Sequence, residues 1–212
     1  MGLNDPQKRT IPLSLSNKEY RYFSSEEEKE VNRAKQDPKD FRPLYNRYYG
    51  RIYGFLFKRV NDEEVAADLA SQTFLNALLN LKKYEFRGLP FSAWLYRIAS
   101  NLCTDYFRES KRQRGLYLDP DKSSELLQEV VEWEEENDEL GIWLLKLPMV
   151  FHALNDKEVE MIELRFFEQL PFKEIGFITG LNESHARIKT YRILKKMKKL
   201  IEAHEAESQN IA

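Results

Sequence analysis

Seven basic side chains lie between residues 182 and 200, where Glu183 is the one acidic residue. The basic residues are Arg187, Lys189, Arg192, Lys195, Lys196, Lys198 and Lys199. Guanidinium and ammonium groups bind phosphates, and side chains at the start of a helix can reach base edges in the major groove of a DNA duplex. The segment therefore predicts a surface for nucleic acid.

The apolar residues of this segment have the spacing of one helix face, which leaves the cations on the outside. They are Ala186, Ile193, Leu194, Met197 and Leu200. A solvated amphipathic helix would carry the same charge run. The preceding residues favour DNA, because Pro171 opens a short helix that ends at Gly180 and Asn182 caps the long one, which is a helix-turn-helix pattern.

A second candidate site surrounds the chain break at Gly88 and Pro90. Phe86 and Arg87 lie in the break, and Asn101 is polar within an apolar helix. A ring beside a cation suits single-stranded nucleic acid, because a flipped base needs a stacking surface and its backbone needs a positive charge. The neighbouring residues with helical spacing are expected in the core instead, namely Phe91, Trp94 and Leu95.

Composition predicts an all-α protein without a catalytic centre. The 212 residues are 42% hydrophobic, which is enough to bury a core, and only 8 are glycine. Cys103 has no partner for a disulfide, and His152, His185 and His204 lack a spacing that converges on a metal. We therefore expect no enzyme activity, no metal and no cofactor. The single cysteine fits a reducing cytoplasm, and no apolar run approaches the roughly 20 residues of a span, so we expect a cytoplasmic protein without membrane insertion.

The net charge of -2 conceals an uneven distribution. Residues 41–112 carry 12 basic and 7 acidic groups, whereas residues 113–147 carry 3 and 10. Gly115 and Pro120 also interrupt the helical pattern in the acidic segment. These features predict a basic first domain and an acidic linker.

Helix-start signals predict where the helices begin. A capping box at Ser24 and Glu27 opens the first helix, Asp37 before Pro38 opens the second, and Asn61 with Glu64 opens the third. Asn155 with Glu158 opens a helix in the second half. The predicted organisation is a flexible extension (1–25), a helical domain (26–112), the linker (113–142), a helix-turn-helix domain (143–204) and a tail (205–212).

Four segments together resemble a known family. They are "KQDPKDFRPLYNRYYGRIYGFLFKRV", "DLASQTFLNAL", "FRGLPFSAWLYRIASNLCTDYFR" and "LNDKEVEMIELRFFEQLPFKEIGFITGLNESHARIKTYRILKKMKKL". In this order and spacing they are similar to the two domains of an extracytoplasmic-function (ECF) sigma factor of the sigma-70 family, a small bacterial transcription initiation factor. The similarity covers about residues 27–112 and 143–202.

The resemblance implies that the first domain binds the clamp of the largest subunit of RNA polymerase and opens the -10 promoter element. The clamp-binding residues would be Asp68, Leu69, Gln72 and Thr73. Phe86 and Asn101 would hold a base flipped out of the non-template strand, with Arg87 near the strand's backbone. Gln72 stands where the family usually has glutamate, so one acidic contact to the clamp is missing.

The resemblance also implies that the second domain reads the -35 element as duplex DNA. The residues carried over for this contact are Ser184, His185, Arg187, Ile188, Lys189, Tyr191, Arg192 and Lys195. Ile188 replaces a small polar residue of the family, which predicts an unusual -35 preference.

The partners that the resemblance implies are core RNA polymerase, through its clamp and the flap of its second-largest subunit, and promoter DNA. Family members are often held inactive by an anti-sigma factor, which makes such a protein a further candidate partner. The acidic linker either threads positively lined channels of the polymerase or is a solvated spacer. The alternative function is a helix-turn-helix regulator that does not bind polymerase.

Overall fold

Helices make up both compact units of the chain. The computed structural model describes residues 17–110, 123, 126 and 147–209. The first unit ends at Ser110, and the second contains the helices from residue 147 onward. These described residues contain no β-strand, so the predicted all-α fold with two helical domains is confirmed.

The first unit contains four α-helices and two short 3-10 turns. In chain order they are α1 (Asn17–Gln36), a 3-10 turn (Pro38–Phe41), α2 (Arg42–Val60), α3 (Glu63–Asn80), a second 3-10 turn (Leu81–Lys83) and α4 (Phe91–Ser110). Residues 84–90 connect the second turn to α4 as an irregular loop. This loop and α4 carry the candidate residues for single-stranded DNA.

The second unit begins with helical residues 147–152. It continues with α5 (Asp156–Ile162), which passes into a π-helical segment (Glu163–Phe167), and then with α6 (Phe172–Thr179) and α7 (Glu183–Gln209). Among the helices of the described ranges, none is both long enough and apolar enough to cross a membrane.

Side-chain caps confirm three of the predicted helix starts. The Asp37 carboxylate accepts the Lys39 N–H at 2.9 Å ahead of the first 3-10 turn. Asn155 and Glu158 form both arms of a capping box. The Asn182 side chain accepts the His185 N–H at 2.8 Å and so caps α7. These contacts satisfy backbone N–H groups that have no partner within the helix.

Two predicted starts are wrong. Ser24 lies inside α1, which begins at Asn17, because no glycine or proline interrupts the chain between residues 17 and 36. Asp62, not Asn61, caps α3, and its carboxylate accepts the Glu64 and Val65 N–H groups at 3.1 Å. Asn61 takes a left-handed backbone angle (φ 50°), which asparagine tolerates better than most residues, and so it turns the chain after α2.

An aromatic cluster around Phe91 fills the core of the first unit. Phe91 is fully buried and lies 5.3 Å from Tyr84 and 6.3 Å from Phe41 between ring centroids. Leu95 is also fully buried, and Trp94 is half-buried with its ring 4.9 Å from that of Tyr84. The expectation that these three residues serve the core therefore holds for Phe91 and Leu95, and in part for Trp94.

Several predicted domain boundaries fall outside the described residues. The linker predicted over 113–142 lies outside the described residues except for Ser123 and Leu126, which are helical and buried. Residues 1–16 of the predicted extension also lie outside them, and residues 17–25 belong to α1. The predicted tail overlaps the end of α7, which runs to Gln209. The exact domain boundaries stay predictions.

Candidate nucleic-acid and polymerase interfaces

The turn between α6 and α7 fixes the start of the basic helix. Gly180 ends α6 in the left-handed region (φ 74°), where a glycine has no steric cost. A Cβ atom on Gly176 would lie 2.7 Å from the Leu181 carbonyl oxygen, so only glycine allows this close approach. The Leu181 N–H also donates to the Gly176 carbonyl at 2.7 Å. The two helices are therefore held by a tight backbone contact.

Most of the predicted -35 residues lie on the exposed side of α7. Ser184, His185, Arg187, Ile188, Arg192 and Lys195 are exposed, and Lys189 and Tyr191 are half-buried. Ile188 is 48% exposed, an unusual state for an apolar side chain in the middle of a charged surface. Between these positions Ala186, Thr190, Ile193, Leu194 and Met197 are buried. The helix therefore separates an inner apolar face from an outer face that carries most of its cations.

Internal ion pairs distinguish the cations of α7 from one another. Lys196 binds the Glu158 carboxylate of α5 at 2.7 Å and so belongs to the packing of the unit. Partial burial acts to raise the pKa of the Glu158 carboxyl, but hydrogen bonds from the Lys196 side chain and the Asn155 backbone lower that pKa below its ordinary value. The ion pair of Arg187 with Glu183 is longer, at 3.5 Å, and lies at the surface. Arg187 is therefore the more available of the two cations.

Two residues outside the predicted set lie against this surface. Phe172 lies at the start of α6. The guanidinium carbon of Arg187 is 5.4 Å from the centroid of its ring, and the guanidinium carbon of Arg165 is 4.8 Å from the same centroid. On α7 itself, the Lys195 ammonium lies 5.1 Å from the Tyr191 centroid. The sequence reading missed Arg165 and Phe172 because they precede the basic run, and their proximity to Arg187 depends on the helix-turn-helix geometry.

The candidate residues for a flipped base lie on the loop 84–90 and on α4. Phe86 is half-buried, and Arg87 is exposed with a 3.2 Å ion pair to Glu85. Gly88 takes a left-handed backbone (φ 65°), and Leu89 is buried, which ties the loop to the unit. Asn101 is exposed on α4. Within the described residues, no hydrogen bond or ring contact joins Asn101 to Phe86 or Arg87.

The predicted clamp-binding residues divide between two faces of α3. Asp68 and Gln72 are exposed, whereas Leu69 and Thr73 are buried, and the Thr73 hydroxyl donates to the Leu69 carbonyl at 2.7 Å. The exposed surface of α3 therefore includes Asp68 and Gln72. Leu69 and Thr73 support it from the core.

The same outer face of α3 also carries two leucines that the sequence reading left unassigned. Leu75 is 54% exposed and Leu79 is 71% exposed. Positions 68, 72, 75 and 79 are separated by four, three and four residues, which puts them on one side of a helix. We call these four residues the outer α3 stripe. The sequence alone could have indicated this exposure, because Leu75 and Leu79 do not share the helix face of the core residues Leu69, Phe74 and Leu81.

The geometry defines a protein with two helical units, the second of which contains a helix-turn-helix with a basic outer helix. Comparison with known proteins agrees with this class. The family description "Sigma-70 region 2" matches residues 44–113, and "Sigma-70, region 4" matches residues 150–199. The chain belongs to the sigma-70 family and, within it, to the ECF sigma factors.

Individual relatives and one solved structure are similar to most of the chain. "ECF RNA polymerase sigma factor BldN" of Streptomyces coelicolor is 31% identical over 81% of this chain, which spans only 64% of that relative's length. "RNA polymerase sigma factor YlaC" of Bacillus subtilis is 29% identical over 74% of this chain and 88% of its own. The structure of CnrH in complex with the cytosolic domain of CnrY matches 84% of this chain and 97% of its own, with a TM-score of 0.54 and 18% identity, and supports the fold alone.

Proposed function

We propose that this chain binds core RNA polymerase and directs it to promoters, where it reads the -35 element as duplex DNA and captures a flipped base of the -10 element. Its membership of the ECF sigma factors and the names of its relatives as RNA polymerase sigma factors support this function. The surfaces described above supply a candidate role for each unit. The bond-making chemistry of transcription belongs to the polymerase.

The outer face of α7 carries the proposal most directly. Arg187, Ile188 and Arg192 are exposed on a helix whose opposite face is buried, and this helix follows a turn held by Gly176 and Gly180. The first turns of such a helix enter the major groove, where guanidinium groups bind guanine edges and an apolar side chain contacts a thymine methyl. We infer that Arg187 and Arg192 contact bases or phosphates and that Ile188 alters the base preference at its position. Ser184, His185, Lys189, Tyr191 and Lys195 complete the proposed contact surface.

The loop 84–90 is the proposed site for the flipped base. A half-buried Phe86 offers a ring without leaving the core entirely, and the exposed Arg87 supplies a cation for the strand's backbone. Asn101 is the proposed hydrogen-bonding partner of the base edge. Because no hydrogen bond or ring contact joins Asn101 to Phe86 or Arg87 within the described residues, the base would bring the three residues together. Capture of the base offsets the free-energy cost of unstacking it, which is on the order of a few kcal/mol.

The outer α3 stripe is the proposed contact with the polymerase clamp. It combines two polar groups, Asp68 and Gln72, with the exposed side chains of Leu75 and Leu79. A buried apolar centre with a polar rim is typical of protein interfaces. The flap of the second-largest subunit remains the proposed partner of the second unit, and an anti-sigma factor remains a candidate antagonist.

Reconstitution with core polymerase tests the proposed function. The full chain is mixed with core RNA polymerase, complex formation is measured by gel filtration, and run-off transcripts are selected from a library of randomised promoters. We expect a stable complex and enrichment of two conserved elements upstream of the start site. A chain that binds duplex DNA but neither co-elutes with polymerase nor yields transcripts would instead fit a helix-turn-helix regulator.

Arg187→Ala tests which surface selects the promoter. We expect it to weaken promoter binding by about tenfold, since a bidentate arginine contact contributes ~1–3 kcal/mol of discrimination. The control is Lys157→Ala, which removes one exposed positive charge from the start of α5 in the same unit. Equal effects of the two variants would mean that net charge, and not the face of α7, accounts for binding.

A further inference from the structure

The Phe172 ring connects three elements of the second unit. It belongs to the first turn of α6, and it lies beside Arg165 from the π-helical segment and Arg187 from α7. Both guanidinium carbons lie within about 6 Å of the ring centroid, the range in which cation–π attraction is significant. Arg165 and Arg187 are far apart in sequence, so this arrangement exists only in the folded unit.

Arg165 lies on a backbone segment with a rare conformation. It lies within the π-helical segment Glu163–Phe167, and π-helical turns are rare and often mark functional sites. Two residues after the segment ends, Gln169 takes a left-handed angle (φ 55°), and the Leu170 N–H donates to the Leu164 carbonyl at 2.9 Å. The Arg165 guanidinium donates to the Leu170 carbonyl at 3.5 Å. This contact is as long as the Arg187–Glu183 ion pair, but Arg165 is half-buried and Arg187 is exposed, so the Arg165 side chain is the more restricted of the two.

Among the described residues, Arg187 has no comparably buried anchor. Its 3.5 Å ion pair with Glu183 lies at the surface, with 66% of the arginine side chain exposed. An exposed ion pair of this kind restrains a side chain only weakly. The Phe172 ring is thus the contact that connects Arg187 to the packed part of the unit. An arginine that is already restrained loses less conformational freedom when it binds its target.

We propose that Phe172 is a positioning residue, which holds the Arg187 guanidinium in the orientation required for duplex DNA and is itself steadied by Arg165. This inference rests on the proposed reading of duplex DNA by α7. It adds that the contribution of Arg187 to promoter affinity depends on the aromatic ring of residue 172. The ring acts on DNA through Arg187 and makes no base contact of its own.

A double-mutant cycle tests this dependence. Holoenzyme is assembled from core polymerase and the full chain, and its affinity is measured by fluorescence anisotropy for a promoter fragment selected with the wild-type protein. The variants are Phe172→Leu, Arg187→Ala and the double substitution. We expect Phe172→Leu to weaken binding about fivefold in the wild-type background and less than about twofold in the Arg187→Ala background.

Phe172→Tyr provides the conservative variant. It keeps an aromatic face for the guanidinium and is expected to bind within about twofold of the wild type. Thermal unfolding of each variant shows how far the loss of packing lowers stability. Because the Tyr variant retains the ring, the comparison between Tyr and Leu stays informative even if Phe172→Leu folds less well.

Two results would overturn the inference, and they are distinguishable. If Phe172→Leu weakens binding by the same factor in both backgrounds, residue 172 acts by packing alone, while the proposed role of α7 survives. If Arg187→Ala binds the promoter as tightly as wild type, the proposed reading of duplex DNA fails and this inference fails with it.

Discussion

The Glu27 carboxylate in α1 accepts the backbone N–H of Phe91, the first residue of α4, at 2.7 Å. Glu27 is buried, and it also accepts a hydrogen bond from the Tyr48 hydroxyl of α2. One side chain thereby joins three helices of the first unit and satisfies a backbone N–H at the start of α4. This start follows the loop that carries Phe86 and Arg87, so the contact sets the geometry of the proposed base-binding site.

Replacement of Glu27 should destabilise the first unit in a pH-dependent way. Glu27→Ala leaves the Phe91 N–H and the Tyr48 hydroxyl without their acceptor and is expected to lower the free energy of unfolding by about 2–4 kcal/mol. Glu27→Gln keeps an acceptor and is expected to cost less. Urea unfolding followed by circular dichroism measures both.

The sign of the pH dependence follows from burial. Burial raises the pKa of the Glu27 carboxyl, although hydrogen bonds from Tyr48 and Phe91 oppose the increase. A folded-state pKa above the unfolded value gives a stabilising contribution that is complete below the unfolded pKa and is lost as pH rises through the folded pKa. The stability of wild type relative to Glu27→Gln should therefore increase as the pH falls from 7 towards 4. A difference that stays constant or decreases over this range would contradict the assignment.

Gly176 should tolerate no side chain. In Gly176→Ala the new Cβ would meet the Leu181 carbonyl oxygen at 2.7 Å, so the turn before α7 must shift. We expect a loss of about 1–3 kcal/mol in stability, as for other overpacked sites, together with weaker promoter binding. The matched control is Gly54→Ala within α2, where nothing lies within 4 Å of the added Cβ. That control should gain roughly 0.5–1 kcal/mol because alanine favours a helix. A Gly176→Ala protein as stable as wild type would contradict the close approach.

Gln169 should be a stabilising target for glycine. Its left-handed backbone (φ 55°) costs a residue with a Cβ about 1–2 kcal/mol. Glycine removes this strain, but it gives the unfolded chain more conformational freedom, which offsets part of the gain in stability. We expect Gln169→Gly to raise the free energy of unfolding by about 0.5–1 kcal/mol in differential scanning calorimetry and urea titration. Asn61→Gly is the comparison, since asparagine already tolerates this region and a smaller gain is expected. A loss of stability in Gln169→Gly would show that the glutamine side chain outweighs the backbone strain.

The exposed leucines of the outer α3 stripe should matter for polymerase binding and not for folding. Leu79 is 71% exposed, so Leu79→Ala removes almost no core packing. At an interface centre the same truncation typically costs more than about 1 kcal/mol, which predicts at least a fivefold loss of affinity for core polymerase. Met149→Ala is the control, as an exposed apolar residue of the other unit. Surface plasmon resonance with immobilised core polymerase measures the affinity of each variant. Equal affinities of Leu79→Ala and Met149→Ala would show that Leu79 is not part of the contact.

Much of the fold could be predicted from local chemistry. The caps at Asp37, Asn155 and Asn182, and the glycine that ends α6, depend on residues within a few positions of each other, and each is present in the structure. Local signals failed where two caps compete, as at Asn61 and Asp62, and where no glycine or proline stops a helix from passing through a possible cap, as at Ser24.

The placement of the candidate site residues was predictable where it follows helix periodicity and not where it depends on tertiary contacts. The outer face of α7 follows from the spacing of its apolar residues, and so does the exposure of Asp68 and Gln72. Family motifs do not separate exposed positions from buried ones, which is why Leu69 and Thr73 stand among the predicted clamp contacts although both are buried. The Arg165–Phe172–Arg187 arrangement requires the π-helical segment and the tight turn together, and neither has a sequence signal as clear as a cap.

The most direct test of the central claim, that this chain couples promoter recognition to strand opening, is a permanganate footprint of unpaired thymines on a selected promoter. Core polymerase with the wild-type chain should make thymines of the -10 element reactive, whereas core polymerase alone should not. Phe86→Ala should bind the duplex normally and yet reduce this reactivity about tenfold or more, because the flipped base loses its stacking surface. Unchanged opening by Phe86→Ala would contradict the base-binding site, and the absence of opening by the wild-type holoenzyme would contradict the proposed function itself.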